Sequence, residues 1–273
     1  MTATAIPPND RLFDILRSVS ETAILPRFRR LSDDQVRAKG HADDLVTVAD
    51  IESEDLLTQA LTALLPGSRV IGEEAAAENS AVLLELQSDA PVWIIDPVDG
   101  TYNFAHGNER FCVIVALVLR GETLAGWLHD PLNDRTAWSL RGEGAWMTRH
   151  GAEMETQALR VADEKPIQAM RGSLSRNLSE KVRGWSKPRP AGIVRYRCIG
   201  HEYMDLAAGE IDFGRYGGRL KPWDHAAGAL LVTEAGGRAA FPDGKPYRPQ
   251  GALDKTLFVA PADSWVSLRD VFC

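Results

Sequence analysis

The chain has 273 residues, 44% of them hydrophobic and 25% charged, with a net charge of −7. That length can bury a substantial core as one large domain or as two fused halves, and the acidic balance argues against a general nucleic-acid or membrane-surface binder, which needs a basic face. The three cysteines, Cys112, Cys198 and Cys273, are widely separated and form no C-x-x-C pair, so neither a disulfide framework nor structural zinc is expected, and a reducing cytoplasm is.

Residues 1–9 read as a loose leader without the basic-then-apolar pattern of a signal peptide. Asp10 is placed to cap a helix over about 11–30, where Leu12, Ile15, Leu16, Val19, Ala23 and Ile24 recur at helical spacing. A second helix is expected over about 48–65, with Ile51, Leu57 and Leu61 among its inward residues and Pro66-Gly67 as its stop. Val70-Ile71 reads as a short strand ending at Gly72-Glu73-Glu74, followed by a third helix through the alanines to Leu86. An apolar strand then runs from Trp93 into Asp96-Pro97-Val98-Asp99-Gly100-Thr101, where Pro97 is expected to hold both aspartates on one side of a tight turn.

Beyond it lies a meander of Phe111–Leu119, Thr123–His129 and Arg135–Leu140. Its first run is apolar throughout, which suggests burial on both faces, and is too short to span a bilayer. From about 155 short strands and helices alternate. Leu159–Ala162, Ala169–Ser173 and Ile211–Phe213 are strand candidates, a helix is expected near 177–184, and Asp224 is placed to cap another over about 225–235. Division into an N-terminal half, 1–150, and a C-terminal half, 151–273, is expected, with no linker between them.

Four acidic residues stand at the ends of elements: Glu73, Asp96, Asp99 and Asp224. Gathered around one point they would repel strongly unless cations neutralised them. Oxygen-only ligands suit a hard cation such as Mg²⁺, and the backbone N–H groups of Gly100 and Thr101 at a helix start suit a phosphate. Two Mg²⁺ ions would balance the four carboxylates, and a third a phosphate dianion. Rival chemistries find no support: there is no H-x-x-x-H pair, G-x-x-x-x-G-K-[ST] or G-x-S-x-G.

Four blocks, Asp44-Leu-Val-Thr-Val-Ala-Asp50, Gly72-Glu73-Glu74, Trp93 to Thr101 and Trp223 to Gly237, resemble in order and spacing the signatures of the inositol monophosphatase family, over about 40–240. The resemblance implies a layered αβαβα sandwich, an α+β half meeting an α/β half at the site. It also implies Mg²⁺-dependent hydrolysis of a small phosphate monoester, a homodimer, and inhibition by lithium. It assigns Glu73, Asp96, the Val98 carbonyl, Asp99 and Asp224 to Mg²⁺, two or three ions per site, and Gly100 and Thr101 to the phosphate. It further implies that Thr101 and Asp44 orient and deprotonate the attacking water, and that Ser173 contacts substrate.

The pattern departs in the second half. Where inositol-hydrolysing members carry a glutamate, seven residues before the last metal-binding aspartate, this chain has Gly217. Where they often show threonine and alanine, it has His201 and Glu202. Glu202 could supply the missing hydroxyl acceptor, and Arg219 or Lys221 could bind a second anionic group. myo-Inositol 1-phosphate is the first substrate expected. Fructose 1,6-bisphosphate, histidinol phosphate and 3′-phosphoadenosine 5′-phosphate are handled by relatives, and some relatives serve as binding modules of the transcription machinery.

Overall fold

The computed structural model of the chain describes all residues except 1–5, 41–42, 187 and 251–252. A small antiparallel pair, β1 (Val36–Ala38) and β2 (Leu45–Thr47), leads to the first large sheet. That sheet has seven strands in chain order: β3 (Arg69–Gly72), β4 (Val92–Asp99), β5 (Cys112–Leu119), β6 (Glu122–Asp130), β7 (Arg135–Leu140), β8 (Ala145–Arg149) and β9 (Glu155–Ala158). Only β3 and β4 run parallel; every later pair is an antiparallel meander. A second sheet holds β10 (Arg171–Leu174), β11 (Gly192–Val194), β12 (Phe213–Leu220), β13 (Gly237–Ala240) and β14 (Leu253–Pro261) in the order β11-β10-β12-β14-β13.

Side-chain alternation sets the layers. On β4 and β5, Trp93, Ile95, Val113, Val115 and Leu117 face one way, into a core with Leu12 and Leu16 of α1 (Asn9–Val19) and Leu57 and Leu61 of α2 (Val48–Leu64). Ile94, Ile114, Ala116 and Val118 face the other way, into a core shared with the following helices. After the short α3 (Glu73–Glu78), α4 (Thr101–Ala105) and α5 (Arg176–Arg183) come α6 (Ile199–Ala207) and α7 (Pro222–Glu234), which fill the space between the two sheets. The outer face of the second sheet packs Phe213 and Phe258 against Trp265 and Phe272 of α8 (Trp265–Phe272) and Val182 of α5. The order is therefore helices, seven-stranded sheet, helices, five-stranded sheet, helices: the αβαβα sandwich expected.

Tight packing of α7 fixes one wall of the site. A side chain at Gly126 of β6 would stand 2.8 Å from the Ala227 backbone, and one at Gly228 would fall into the Tyr203 ring of α6. The Ala226-Ala227-Gly228 run is thus a contact surface on two sides.

Several local expectations are corrected. The helix expected over 11–30 begins at Asn9, so Asp10 lies in its first turn, and after Val19 it continues as a π turn and a 3₁₀ turn to Arg27. Ile51 is exposed. The third helix breaks at Asn79 and resumes as 3₁₀ over Ser80–Gln87. Leu159–Ala162 is not a strand; the strand lies just before it, at β9, with all four residues exposed and hence no apolar alternation to reveal it. Strand β12 begins at Phe213, where Ile211–Phe213 was expected. Asp224 sits in the first turn of α7, behind the cap Lys221.

Candidate active site

Strand β4 delivers the first two carboxylates. Opposite β5, Asp96 pairs with Ile114 and Asp99 with Cys112, so three steps on β4 match two on its partner. This is a bulge, and Pro97, which has no N–H to give the ladder, occupies it. The tight turn expected there is instead the bulged end of a wholly buried strand. The bulge re-aims Asp99, and the Val98 N–H donates to Asp96 Oδ1 at 3.2 Å. Gly100 then takes φ +88°, where a β-carbon would stand 2.8 Å from the Arg110 carbonyl, and α4 starts at Thr101.

Parallel pairing of β3 with β4 sets Gly72 level with Ile95, which places Glu73 at the start of α3 beside Asp96. Asp224 arrives from the far side on α7. Oxygens of Glu73, Asp96 and Asp224 lie within 4.8 Å of one another. Asp44, Val98, Asp99, Gly100 and Thr101 line the same cavity of about 380 Å³.

The electrostatics are those of a cation site. Burial, then the charges of Glu73, Asp99 and Asp224, hold the Asp96 carboxyl well above its ordinary range. Burial and Glu73 do the same to Asp224, and burial raises Asp99 against the pull of the Gly200 N–H. Burial also pushes Glu73 upward, but Lys221 and Lys39 outweigh it and leave this carboxyl below its ordinary range. Both ammonium groups reach Glu73 Oε1, at 3.2 Å and 3.1 Å. One carboxylate is thus kept charged by two lysines, while among the described residues Asp96, Asp99 and Asp224 form no ion pair, and the pull of the same lysines on Asp224 does not offset its burial. An all-oxygen donor set in this state fits a hard divalent cation.

Thr101 has company that sequence reasoning missed. Its hydroxyl lies 3.0 Å from Asp50 Oδ1 and 3.0 Å from the Val98 carbonyl. Asp50 is buried, accepts from the Thr47 N–H and hydroxyl in a capping box that starts α2, and is pushed up to about 7 by burial. A capping box is readable from T-x-x-D, but its tie to Thr101, 51 residues on, is not. Asp44 lies on the cavity wall, and the nearby Asp43 pairs with Arg197 at 3.0 Å.

The two residues expected to meet substrate meet each other: Ser173 donates to Glu202 Oε2 at 2.6 Å. Glu202 is buried and pushed up to about 7, chiefly by that burial. His201 points away and contacts the Phe111 carbonyl at 3.1 Å. A second cavity of about 250 Å³ joins the first along Asp224, Ile199 and Arg197; Ser173, Glu202, Gly217 and Arg219 line it. Lys221 is engaged by Glu73, which leaves Arg219, with Arg195, Arg197 and Arg215, as the cations lining that cavity.

The family model described as the inositol monophosphatase family matches residues 10–267. The chain belongs to the inositol monophosphatase family. An inositol-1-monophosphatase of Bacillus subtilis is 32% identical over 78% of each chain. Another, of Mycobacterium leprae, is 34% identical over 83% of this chain and 77% of its own. Among solved structures, the Thermotoga maritima IMPase superposes with a TM-score of 0.78 at 26% identity, covering 97% of each chain. The extragenic suppressor protein suhB from Bartonella henselae shares the fold, with a TM-score of 0.79, 24% identity and 97% of each chain covered. As a member of this family the chain is a phosphoric monoester hydrolase, and acidic residues able to hold metal are present in it. Among the described residues, no helix is long and apolar enough to cross a membrane.

Proposed function

We propose that this chain hydrolyses a small phosphate monoester with Mg²⁺, with myo-inositol 1-phosphate as its first candidate substrate. The observation that carries the reading is the convergence of Glu73, Asp96 and Asp224 from three separate elements beside Gly100 and Thr101. In this reading Glu73, Asp96, the Val98 carbonyl, Asp99 and Asp224 hold two or three Mg²⁺ ions. Bound there, Mg²⁺ supplies Lewis-acid polarisation of the phosphoryl group and offsets the carboxylate charge. The backbone N–H groups of Gly100 and Thr101 hold the phosphate, Asp44 takes the proton of the attacking water, and Thr101 orients that water. Asp50 fixes the Thr101 hydroxyl from behind. Ser173 and Glu202 position the leaving group.

A second reading of the substrate is favoured by one observation. Arg195, Arg197, Arg215 and Arg219 surround the cavity next to Asp224, where Gly217 offers no carboxylate. A phosphate ester carrying a second anionic group, such as fructose 1,6-bisphosphate or 3′-phosphoadenosine 5′-phosphate, complements this wall better than a neutral polyol. The chain is further read as two halves divided near residue 150, as a lithium-sensitive homodimer, and as cytoplasmic, in keeping with its free cysteines. Phosphate release from a panel of phosphomonoesters, with and without millimolar Mg²⁺, tests the activity, and ranking the panel by kcat/KM separates the two substrate readings. Silence across the panel would favour a binding module over an enzyme.

A further inference from the structure

A different cluster lies directly behind the carboxylate site. The fold brings Cys112 of β5 and Cys198, which precedes α6, to an Sγ–Sγ separation of 3.8 Å, although they stand 86 positions apart in the sequence. Both thiols face the same oxygen: Cys198 Sγ is 3.1 Å and Cys112 Sγ 3.6 Å from Asp99 Oδ2. The Gly200 N–H donates to that oxygen at 2.6 Å and fixes its position. All three side chains are buried.

The triangle can be compared with what a soft divalent ion requires. Tetrahedral zinc with Zn–S of about 2.3 Å and Zn–O of about 2.0 Å demands an S···S edge of about 3.8 Å and S···O edges of about 3.5 Å. The observed edges are 3.8, 3.6 and 3.1 Å. One short edge aside, the three donor atoms already stand at tetrahedral spacing. The chemistry of the donors also differs from that of the neighbouring cluster: Glu73, Asp96 and Asp224 offer oxygen only, whereas two sulfurs select thiophilic ions.

We infer that Asp99, Cys112 and Cys198 form a site for a thiophilic divalent cation, Zn²⁺ or Cd²⁺, with a solvent ligand completing the tetrahedron. Binding forms two metal–sulfur bonds and one metal–oxygen bond, and the two thiol protons leave to solvent. Because Asp99 also lines the phosphatase cavity, an ion held by its Oδ2 draws charge from that cavity. The binding claim stands without the phosphatase reading; only this consequence rests on it.

X-ray absorption at the zinc edge of the full chain, loaded with one equivalent of Zn²⁺ in excess Mg²⁺, decides the matter without any variant. The expected shell contains two sulfurs at about 2.3 Å, and a shell of oxygen or nitrogen alone would overturn the inference. In parallel, Cd²⁺ titration should raise a thiolate-to-cadmium ultraviolet band that saturates at one ion per chain, disappears in Cys198→Ser and persists in Cys273→Ser. A band that survives Cys198→Ser, or is lost in Cys273→Ser, would refute it. Should Cys198→Ser fail to fold by circular dichroism, the wild-type absorption shell remains decisive. If the binding holds and activity exists, zinc at one equivalent should raise the Mg²⁺ concentration needed for half-maximal turnover. Confirmed sulfur ligation in an inactive chain would separate failure of the enzyme reading from failure of the site.

Discussion

Removing Lys221 should tighten metal binding while weakening substrate binding, and the opposite signs make Lys221→Met an informative perturbation. The Lys221 ammonium lies 3.2 Å from Glu73 Oε1. At that separation two unit charges interact by about 5 kcal/mol with an effective dielectric constant of ~20, and by about 1.3 kcal/mol in water. The lysine side chain is 35% exposed, so solvent screening makes the lower figure the appropriate one. A lysine that neutralises Glu73 competes with any cation Glu73 would hold. Its loss should therefore lower the half-saturating Mg²⁺ concentration about tenfold, the equivalent of ~1.4 kcal/mol. The same change takes a positive charge from the cavity wall and should raise KM for the phosphate ester. Phosphate release measured against Mg²⁺ at saturating substrate, then against substrate at saturating Mg²⁺, reads both. A folded variant whose half-saturating Mg²⁺ is unchanged or higher would refute the assignment of Glu73 as a metal ligand competing with Lys221.

Asp96→Asn should reduce kcat by at least about 100-fold, because one lost charge among the ligands weakens the hold on the cation that offsets transition-state charge, and should raise the melting temperature of metal-free protein by relieving repulsion among the clustered carboxylates; near-normal turnover would contradict it. Asp50→Ala should cost about 1 kcal/mol in urea unfolding, because the Thr47 N–H and hydroxyl lose the acceptor that completes the capping box of α2, and should lower kcat because Thr101 loses an acceptor. Asp44→Asn, by contrast, should lower kcat with little change in stability. Glu202 has its carboxyl raised from 4.5 to about 7, so the folded protein binds that proton more tightly than the unfolded chain, and stability falls as pH rises from about 4.5 through 7. Glu202→Gln removes this slope and should gain up to about 3 kcal/mol on wild type at pH ~8 relative to pH ~4, at 1.36 kcal/mol per pKa unit; parallel stability–pH curves would contradict it.

The parts of the site that were legible in the sequence are those where local rules and function coincide. The apolar run into Asp96 reads as a buried strand because every residue from Val92 to Asp99 is buried, and Glu73 and Asp224 both lie near the starts of helices. Features built by distant segments were not legible. Nothing at Thr101 points to Asp50, and nothing at Cys112 points to Cys198. Helix α6 is hard to read for another reason: it is only nine residues long, and its polar His201 and Glu202 are buried with five of its other residues, so its polar positions do not mark a solvent face. The exposed strand β9 escaped for the opposite reason, having no apolar face at all.

The carboxylate cluster is tolerable to the fold because its charge is divided unevenly. Lys39, half-buried and itself pushed upward by Glu73 and Glu74 against its own desolvation, pairs with both of them and joins Lys221 in neutralising Glu73. Among the described residues no ion pair reaches Asp96 or Asp224, the lysines pull on Asp224 without outweighing its burial, and both aspartates retain protons more readily than a solvated aspartate would. A divalent cation entering between them would replace those protons, so its affinity must rise with pH over the range in which the two carboxyls ionise. The second cavity holds one such acid: Glu202, pushed up to about 7 chiefly by burial, lines it together with Gly217, Arg195, Arg197, Arg215 and Arg219. An anionic group entering there meets cations and an acid able to take up a proton, whereas a neutral polyol hydroxyl needs Glu202 as an acceptor. The two substrate classes should therefore respond oppositely to Glu202→Gln: KM for the polyol phosphate rises, while KM for a bisphosphate holds or falls.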